Sequence, residues 1–463
     1  MSSARAPHRV VIIGAGPTGL GAAWRLDERG HSDWVIYEAT GHAGGLASSV
    51  TDPAGFTWDL GGHVLFSHYP YFDAVMDRAL GDAWVEHARE AWIWMRDRWI
   101  PYPFQNNVWR LPESELQACL DGLEALRANP APPQTFRDWL LASFGAGICE
   151  SFLLPYNRKV WAYDPATLNV EWMGERVATV DLDRIRENVR LQRDDVSWGP
   201  NSTFRFPLHG GTGAIWRSVA GLLPNRLDFN RHVTAIDAAR RQITLDNGSR
   251  DTYDVLISTM PLDSLLSMIG DRPDLAALAP AFVHSSSHIV GIGLKGAPPA
   301  DLATKCWIYF PEPHVPFYRA TVFSNYSPNN APPGHWSMMV EVSESPDKPV
   351  AVQTLIDDVM IALRSCRLID PSHVISRWHR RLEHGYPTPW IGRNAVLNDA
   401  DRALRSCGIF SRGRFGAWKY EVSNQDHSFM QGVEVVDHVL LGTDEHTVYG
   451  DMSGHHVTSA RTA

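Results

Sequence analysis

The chain has 463 residues, enough for two or three domains with sizeable cores. Its net charge of −10, without any run of Lys or Arg, argues against a nucleic-acid-binding surface. The five cysteines are widely spaced and form no C-x-x-C pair, which excludes a disulfide framework or zinc motif and predicts reduced thiols. We find no signal peptide before the first apolar run and expect no apolar stretch of about eighteen residues that could cross a bilayer. These features predict a cytoplasmic protein with no membrane partner and no metal.

The N-terminal stretch has the pattern of a βαβ unit. An apolar run at 10–13 stops at a G-x-G-x-x-G motif, helical spacing follows, and a second apolar run at 34–37 ends in Glu38. In this motif Gly14 permits the tight turn, Gly16 lets the backbone approach a pyrophosphate, and Gly19 allows close packing of helix on strand. Glu38 falls where an acid binds ribose hydroxyls. The unit therefore predicts a dinucleotide site.

Two further glycine pairs bear on the identity of the dinucleotide. The segment Gly44-Gly45-Leu46-Ala47-Ser48 resembles the flavoprotein pattern in which a second loop follows the phosphates, and it favours FAD over NAD. The loop Gly61-Gly62-His63 ends a predicted strand and lets backbone lie against a flat ring beside one imidazole. Taken alone, this loop is also compatible with a simple turn that carries a surface histidine.

The middle of the chain predicts a change of domain. Residues 92–102 alternate around a polar Arg96-Asp97-Arg98 turn and predict a hairpin, and its proline-rich outgoing arm leads into helical spacing from 111 to about 191. A capping-box pattern at Thr135-x-x-Asp138 predicts a helix start. We therefore expect a small helical domain inserted between pieces of the first.

The second half of the chain predicts strands again. Two short strands around the Asp246-Asn247-Gly248 turn precede an apolar strand at 253–257. Strands are then predicted at 287–294, 305–310, 317–326, 336–343 and 374–382, with short connections typical of an antiparallel sheet. Helical spacing at 352–363 predicts a helix that covers one face of this sheet. The other face is free to wall a ligand cavity, into which Tyr309, Arg319 and Tyr326 project.

The C-terminal segment 411–429 leads into a helix through 430–440. In flavoproteins of the amine-oxidase type, such a helix directs its positive end at the flavin. The alternative is that residues 424–428 only cap a surface helix.

The predicted fold class is α/β, with a Rossmann-like FAD-binding domain, an inserted helical domain and an antiparallel β-sheet domain. The FAD-binding domain is assigned 1–88, 200–285 and 393–463. The sheet domain is assigned 89–105, 191–199 and 286–392, and the helical domain 106–190.

Beyond the FAD fingerprint, nine collinear blocks together resemble the UDP-galactopyranose mutases of eukaryotic type. The blocks are GGHVLFSHY (61–69), IPYPFQNN (100–107), LPYNRKVW (154–161), GERVA (174–178), WGPNSTFRFP (198–207), CWIYFPE (306–312), PFYRATVFSNYSP (316–328), HGYPTP (384–389) and RGRFGAWKYEVSNQDHSFM (412–430).

The resemblance implies a redox-neutral flavin reaction. In that family N5 of reduced FAD attacks the anomeric carbon while UDP leaves, and the return of UDP gives interconversion of UDP-galactopyranose and UDP-galactofuranose. NAD(P)H is a candidate reductant of the FAD, and the family allows a homo-oligomer. A UDP-sugar is the implied substrate.

The resemblance also implies roles for residues. The catalytic set is His63, Arg176 and Arg319, with guanidinium groups suited to a leaving diphosphate. The cofactor set is Gly14, Gly16, Gly19, Glu38, Gly45, Leu46, Ser48, Gly61, Gly62, His63, Val233, Arg414, Asn424, Gln425 and Ser428. The substrate set is Tyr102, Phe104, Gln105, Phe152, Asn157, Trp161, Arg176, Asn201, Trp307, Tyr309, Arg319, Tyr326, Tyr386 and Tyr420. Arg89 also matches a position near the active site.

The chain departs from the family in two places. Residues 329–334 form a short link where fungal members carry a long insertion, and Leu154 and Arg158 stand within an otherwise matching uridine motif. Two other functions remain open. One is a mutase for another nucleotide sugar, such as UDP-arabinopyranose or a deoxyhexose, and the other is an amine-oxidase-type FAD oxidoreductase, because a fold alone does not fix a function.

Overall fold

The computed structural model describes residues 9–126, 132–173, 180–196 and 202–450. The strands of these residues are β1 (Val10–Ile13), β2 (Trp34–Glu38), β3 (Ser49–Thr51), β4 (Thr57–Asp59), β5 (Trp84–Ala88), β6 (Ala91–Met95), β7 (Arg98–Pro101), β8 (Thr203–Pro207), β9 (Leu227–Phe229), β10 (Val233–Asp237), β11 (Gln242–Leu245), β12 (Arg250–Thr252), β13 (Val255–Ser258), β14 (His284–Lys295), β15 (Trp307–Tyr309), β16 (Arg319–Thr321), β17 (His335–Glu344), β18 (Val374–Pro387) and β19 (Ile409–Ser411). The helices are α1 (Pro17–Glu28), α2 (Pro70–Leu80), α3 (Glu113–Glu124), α4 (Phe136–Ile148), α5 (Leu154–Trp161), α6 (Leu182–Leu191), α7 (Gly213–Gly221), α8 (Leu262–Met268), α9 (Pro273–Ala276), α10 (Leu355–Ser365), α11 (Arg393–Ser406), α12 (Gln425–Leu441) and α13 (His446–Tyr449).

A five-stranded parallel sheet carries the N-terminal motif. Its strand order is β19-β13-β1-β2-β9, so β1 lies in the middle, with β13 and β2 in parallel register on its two sides. All four residues of β1 are buried, which is why the strand is apolar throughout. Helices α1, α2, α7 and α12 contribute to the core on one face, and the β10-β11-β12 sheet with α8 and α11 to the core on the other. The predicted βαβ unit is confirmed.

A seven-stranded sheet, in the order β18-β14-β17-β16-β15-β6-β7, forms the second layer. Its neighbours pair antiparallel, as predicted, except for β15 and β6, which pair in parallel. The difference arises because β6 belongs to the early hairpin with β7 and joins the sheet from a distant part of the chain. Val359 and Leu363 of α10 pack against Val340 and Val342, so the predicted helix does cover one face.

One predicted strand of this sheet is shorter than expected. We expected a strand over 317–326, but β16 ends at Thr321 and a 3-10 turn, Phe323–Asn325, follows. The amide of Asn325 donates to the carbonyls of Leu302 and Lys305, both at 2.9 Å, and these bonds turn the chain out of the sheet. Tyr326 therefore lies beyond the strand.

A helical module follows the early hairpin, as predicted. Thr135 and Asp138 make the reciprocal capping box at the start of α4, with bonds of 3.1 and 3.0 Å. Phe136, Leu140 and Phe144 are buried together with Phe104 and Phe152. This module closes one end of the antiparallel sheet through contacts with Tyr102, Tyr309 and Tyr386.

The expectation that no stretch of the chain is long and apolar enough to cross a membrane is wrong. Residues Phe136–Trp161 form a 26-residue helical stretch that meets this test by length and composition. A core helix of a folded domain meets it too. Gly145 has non-helical dihedrals (φ 71°, ψ 165°) that break the α-helical path, and Leu140 and Ile148 are buried in the core of the module. Of the apolar window in this stretch, 44% is buried inside the protein.

The assigned domain boundaries remain a prediction. The strand pairs join segments that lie far apart in the chain: β5 pairs with β8, and β2 with β9.

The contact between α1 and α12 generates a stability prediction. A Cβ at Gly432 would lie 2.0 Å from the carbonyl oxygen of Thr18 and 2.6 Å from the amide nitrogen of Ala22. Both are backbone atoms, so Gly432→Ala has to separate the helices, and we expect a loss of about 1–3 kcal/mol in the free energy of unfolding measured with urea. Gly221→Ala is the matched control, because no atom lies within 4 Å of its Cβ position. Equal stability of the two variants would contradict the close approach.

Candidate active site

A cavity of about 2010 Å³ lies where the parallel sheet, the antiparallel sheet and the helical module meet. Ordinary ligand pockets measure roughly 300–1,000 Å³. This cavity is therefore large enough for a dinucleotide together with a second ligand. It extends from the start of α1, past the loop at 61–63, to α5 in the helical module.

The phosphate end of the cavity is built by the first glycine motif. Gly14 has a φ of 97°, and a Cβ at this position would lie 2.3 Å from the hydroxyl of Thr259. Gly16 caps α1 without a side chain and lines the cavity. Gly19 does not line it. A Cβ at Gly19 would lie 1.9 Å from the carbonyl oxygen of Gly14, so this glycine serves helix-to-strand packing, as predicted.

Glu38 ends β2 beside this motif and lines the cavity. One carboxylate oxygen accepts from the amide of Ala15 at 2.7 Å, and the other accepts from the amide and hydroxyl of Thr40 at 2.8 and 2.7 Å. A carboxylate has about four acceptor positions. The side chain is therefore fixed by the protein and still has capacity to accept from ribose hydroxyls.

The Gly44-Gly45 segment runs alongside the first motif. The amide of Gly44 donates to the carbonyl of Ala15 at 2.9 Å, and Gly45 and Leu46 line the cavity. Ser48 does not line it. Its hydroxyl instead donates to the carbonyl of Gly45 at 2.7 Å and so closes the turn that presents the loop.

The loop at 61–63 lies over the antiparallel sheet. Gly61 has a φ of 128°, and the amide of Gly62 donates to Glu341 at 3.1 Å. The Nδ1 atom of His63 is buried without a hydrogen-bond partner among the described residues. Burial, together with the charges of Arg414 and Arg319, lowers the pKa of His63 to about 4 against the opposing effect of Glu341. The imidazole is therefore neutral at physiological pH.

The N-terminus of α12 faces the same part of the cavity. Asn424, Gln425 and Ser428 line it, and Asn424 makes no side-chain cap on the helix. Gln425 is held by Trp216, whose indole nitrogen donates to it at 2.8 Å. Arg414 is fixed by the hydroxyl of Ser423 at 2.8 Å and the carbonyl of Gly385 at 3.1 Å. The helix end and its dipole are thus directed at the cavity. Val233 also lines it, at the start of β10.

The register of the antiparallel sheet aligns three polar side chains on the cavity floor. Tyr309 is the cross-strand partner of Arg319, and Arg319 is the partner of Glu341. Trp307, Ser287 and Ile289 lie on this same face and line the cavity too, while the opposite face packs on α10. Cross-strand partners stand close together, so the register alone brings these groups into contact.

Arg319 and Glu341 form a bidentate ion pair. Nε and Nη2 of Arg319 donate to the two carboxylate oxygens at 2.7 and 2.8 Å. Tyr318 donates to the same carboxylate at 2.7 Å. Burial alone would lower the pKa of Arg319, but the carboxylate of Glu341 raises it well above its ordinary value. Arg319 therefore carries a permanent charge, and its Nη1 makes no hydrogen bond to the described residues.

Aromatic side chains line the far end of the cavity. Phe152 stacks on Tyr156 at 5.2 Å, and Tyr156 meets the edge of Tyr309 at 5.4 Å. Tyr102, Asn157, Trp161, Tyr386 and Tyr420 complete this end. Burial raises the pKa values of Tyr102, Tyr309 and Tyr386, so their hydroxyls stay protonated and are available as donors.

Not every residue of the predicted site reaches the cavity. Phe104 is fully buried and stacks behind Phe152 at 4.8 Å, and Gln105 is buried beside it. Tyr326 is fully buried among Phe204, Phe206 and Phe323, behind Trp307, which does line the cavity. In this structure Gly19, Ser48, Phe104, Gln105 and Tyr326 therefore support the wall from behind. Arg176 and Asn201 lie outside the described residues.

Sequence reasoning missed several residues of the cavity wall. Among them are Glu341, Tyr318 and Tyr156, and Glu341 connects the loop at Gly62 to Arg319. Glu341 lies within the predicted strand at 336–343 and is only 4% exposed. A buried charge requires a partner, but the sequence does not show that this partner is Arg319.

These features fit FAD. Glycine backbone without a Cβ lines the phosphate end, Glu38 retains acceptor capacity, and α12 directs its N-terminus at the cavity. The buried, unpartnered Nδ1 of His63 suits a ligand that lies against the loop at 61–63.

Comparisons with known proteins agree with this fit. The family described as flavin containing amine oxidoreductase matches residues 17–406. A crystal structure of a reduced UDP-galactopyranose mutase is 54% identical, with a TM-score of 0.92, over 95% of this chain and 97% of that chain.

More distant structures share the fold alone. A CLA-producing fatty acid isomerase from P. acnes is 16% identical, with a TM-score of 0.60, over 92% of this chain and 97% of its own. Wild-type putrescine oxidase bound to putrescine is also 16% identical, with a TM-score of 0.60, over 93% and 98%. The chain is a FAD-dependent enzyme that belongs to the flavin containing amine oxidoreductases and, within them, to the UDP-galactopyranose mutase family.

Proposed function

We propose that this chain is a flavin-dependent UDP-sugar mutase that interconverts UDP-galactopyranose and UDP-galactofuranose. The observation that carries the proposal is the guanidinium of Arg319, held by Glu341 on the floor of the cavity next to the loop that carries His63. A fixed, permanently charged guanidinium suits a leaving diphosphate.

The reaction is redox-neutral, because pyranose and furanose are isomers. When bound and reduced, FAD supplies a nucleophilic nitrogen for the anomeric carbon. The protein has to bind UDP while the bond between the anomeric carbon and the diphosphate oxygen breaks, and to retain it until that bond forms again. Arg319 balances the negative charge of the departing UDP, and Tyr309 and Tyr386 donate hydrogen bonds from protonated hydroxyls.

The remaining assignments belong to the same proposal. Arg176 is proposed as a second diphosphate contact and Asn201 as a contact of the sugar, both from the family resemblance. Tyr102, Phe152, Asn157 and Trp161 are proposed to hold the uridine, supported by their position at the aromatic end. A cytoplasmic location, a homo-oligomer and NAD(P)H as reductant also remain proposals.

His63 is proposed to act as a neutral group. Its lowered pKa keeps the imidazole uncharged beside Arg319 and Arg414, so it adds no third positive charge near the flavin. Its role is to hold the loop and contact the cofactor through hydrogen bonds of the neutral ring.

Two other functions compete with this one. A mutase for another nucleotide sugar would use the same diphosphate contacts and differ only near Trp307. An amine-oxidase-type enzyme is favoured by the family match, but it transfers hydride from its substrate and needs no charged arginine for a diphosphate. The ion pair on the cavity floor therefore favours the mutase.

The first prediction concerns reaction class and sugar. Dithionite-reduced protein, given a panel of nucleotide sugars, should convert UDP-galactofuranose to UDP-galactopyranose, with products separated by chromatography. Fully oxidised protein should convert neither sugar. Equal activity of the oxidised protein would refute the nucleophilic role of reduced FAD, and anaerobic bleaching of the flavin by an amine would favour the oxidoreductase.

The second prediction concerns the fixed guanidinium. Arg319→Lys keeps a positive charge but loses the bidentate geometry, so kcat/KM should fall by the equivalent of about 2–5 kcal/mol while FAD stays bound. Arg377→Lys is the matched control. Arg377 lies on β18, 49% exposed and outside the cavity, with an ion pair of 3.6 Å to Asp357, and its replacement should change activity little. Similar activities in the two variants would contradict the proposed role of Arg319 in the reaction.

A further inference from the structure

Three side chains converge on one point beside the cavity, which His384 alone of the three also lines. Asp263 lies in the first turn of α8, His284 begins β14, and His384 lies near the end of β18. One donor atom from each falls within 4.8 Å of the other two. The residues are far apart in the sequence, which is why their spacing predicts no metal motif.

We infer that Asp263, His284 and His384 form a site for a divalent transition-metal ion of the Zn²⁺ type, with a fourth coordination position open to solvent. Two imidazoles and a carboxylate are the ligand types of open zinc sites. The inference is independent of the proposed mutase activity.

The distances support this geometry. Nε2 of His384 lies 3.0 and 3.1 Å from the two carboxylate oxygens of Asp263, and Nδ1 of His284 lies 3.8 Å from one of them. A tetrahedral ion with bonds of about 2.1 Å keeps its donor atoms about 3.4 Å apart. The distance between the donor atoms of His384 and Asp263 is shorter than this value, and the distance between those of His284 and Asp263 is longer. The rings of His284 and His384 stack with centroids 4.2 Å apart and an interplanar angle of 28°, so both rings have to turn before their in-plane lone pairs meet at one ion.

The surroundings favour His284 as a ligand. Its Nδ1 is buried and has no hydrogen-bond partner among the described residues, although it is directed at Asp263. Its other nitrogen, Nε2, lies 3.5 Å from the carboxylate of Glu383. A carboxylate behind a ligating histidine fixes the ring and places the lone pair on the opposite nitrogen. Nδ1 is therefore oriented for coordination.

The protonation states are also suitable. Burial lowers the pKa of His284, which favours the neutral imidazole that a metal requires. Burial opposes ionisation of Asp263, but its hydrogen bond to His384 brings its pKa below the ordinary value, so the carboxylate is charged. The ion binds Nε2 of His384 in place of its hydrogen bond to Asp263, and the single proton of a neutral imidazole then stands on Nδ1. The three side chains are 17–21% exposed, so an ion has access.

A second cluster carries no such inference. His68, Asp426 and His427 also meet within bonding range. The carboxylate of Asp426 already accepts a hydrogen bond from the backbone amide of His68 at 3.0 Å and lies 2.7 Å from the ring nitrogen Nδ1 of His68. His68 and His427 both line the cavity. Two of its three members therefore line the cofactor site already described, whereas of the first cluster only His384 does.

The test is a titration of full-length, FAD-loaded, chelator-treated protein without a histidine tag. The probe is Zn²⁺ by calorimetry, repeated with Co²⁺ by its absorption at the red end of the visible spectrum. We expect one ion per chain, and binding at least tenfold weaker in both Asp263→Asn and His284→Gln. Neither residue lines the cavity, so FAD content and the flavin spectrum serve as a check that each variant is folded.

His379→Ala is the matched control. His379 lies five positions before His384 on β18, and its ring stacks on His288 at 5.2 Å, outside the proposed site. This variant should bind Zn²⁺ like the unchanged protein. Absence of stoichiometric binding overturns the inference, as does equal binding by all variants. Loss of binding in His379→Ala alone would assign the ion to the His288 and His379 pair and would also overturn it. Should one variant unfold, the other decides the result.

Discussion

The ion pair between Arg319 and Glu341 is the interaction on which the active-site architecture depends. Both groups are buried, and a buried charge is tolerated only with a well-placed partner. The pair is placed by the register between β16 and β17, and a slip of one residue would turn both side chains to the face that packs on α10. The register of the sheet therefore determines where the positive charge lies in the cavity.

The same carboxylate extends this constraint to the cofactor side. Glu341 also accepts from the amide of Gly62 and the hydroxyl of Tyr318. A Cβ at Gly62 would lie 2.9 Å from Glu341 and 3.0 Å from Arg319, so the loop passes directly over the pair. The loop at 61–63 and the guanidinium of Arg319 are thus held by one side chain, which lies 279 positions from Gly62 in the sequence. The loop at Gly62 and the side chains of Tyr318 and Arg319 therefore all depend on the position of Glu341.

Local patterns predicted the elements whose cause is local. The motif of Gly14, Gly16 and Gly19 requires only a tight turn and close packing. The capping box at Thr135 requires only residues that are close in the sequence. A strand was predicted over 336–343, where β17 lies, and α10 has the helical spacing of a covering helix. The Gly44-Gly45 segment added the identity of the cofactor, and the blocks that resemble known mutases added the family. Fold class and cofactor were therefore accessible from the sequence.

What the sequence left open depends on pairings between distant segments. Glu341 was missed because nothing local marks it as the partner of Arg319, and Tyr326 was placed on the cavity wall because the turn made by Asn325 depends on carbonyls of another segment. Phe104 and Gln105 stand in a matching block but lie one layer behind Phe152. The apolar stretch through α4 and α5 was not predicted, because charged residues interrupt its apolar sequence and Gly145 interrupts its helix.

The large cavity has a consequence for the amount of folded protein in a cell. Its walls come from three separately packed layers, so bound FAD makes contacts that the layers alone lack. A ligand that binds only the folded chain stabilises it by mass action, by about 2.7 kcal/mol when its free concentration is one hundred times its Kd. The concentration of free FAD therefore sets the fraction of folded protein as well as its activity.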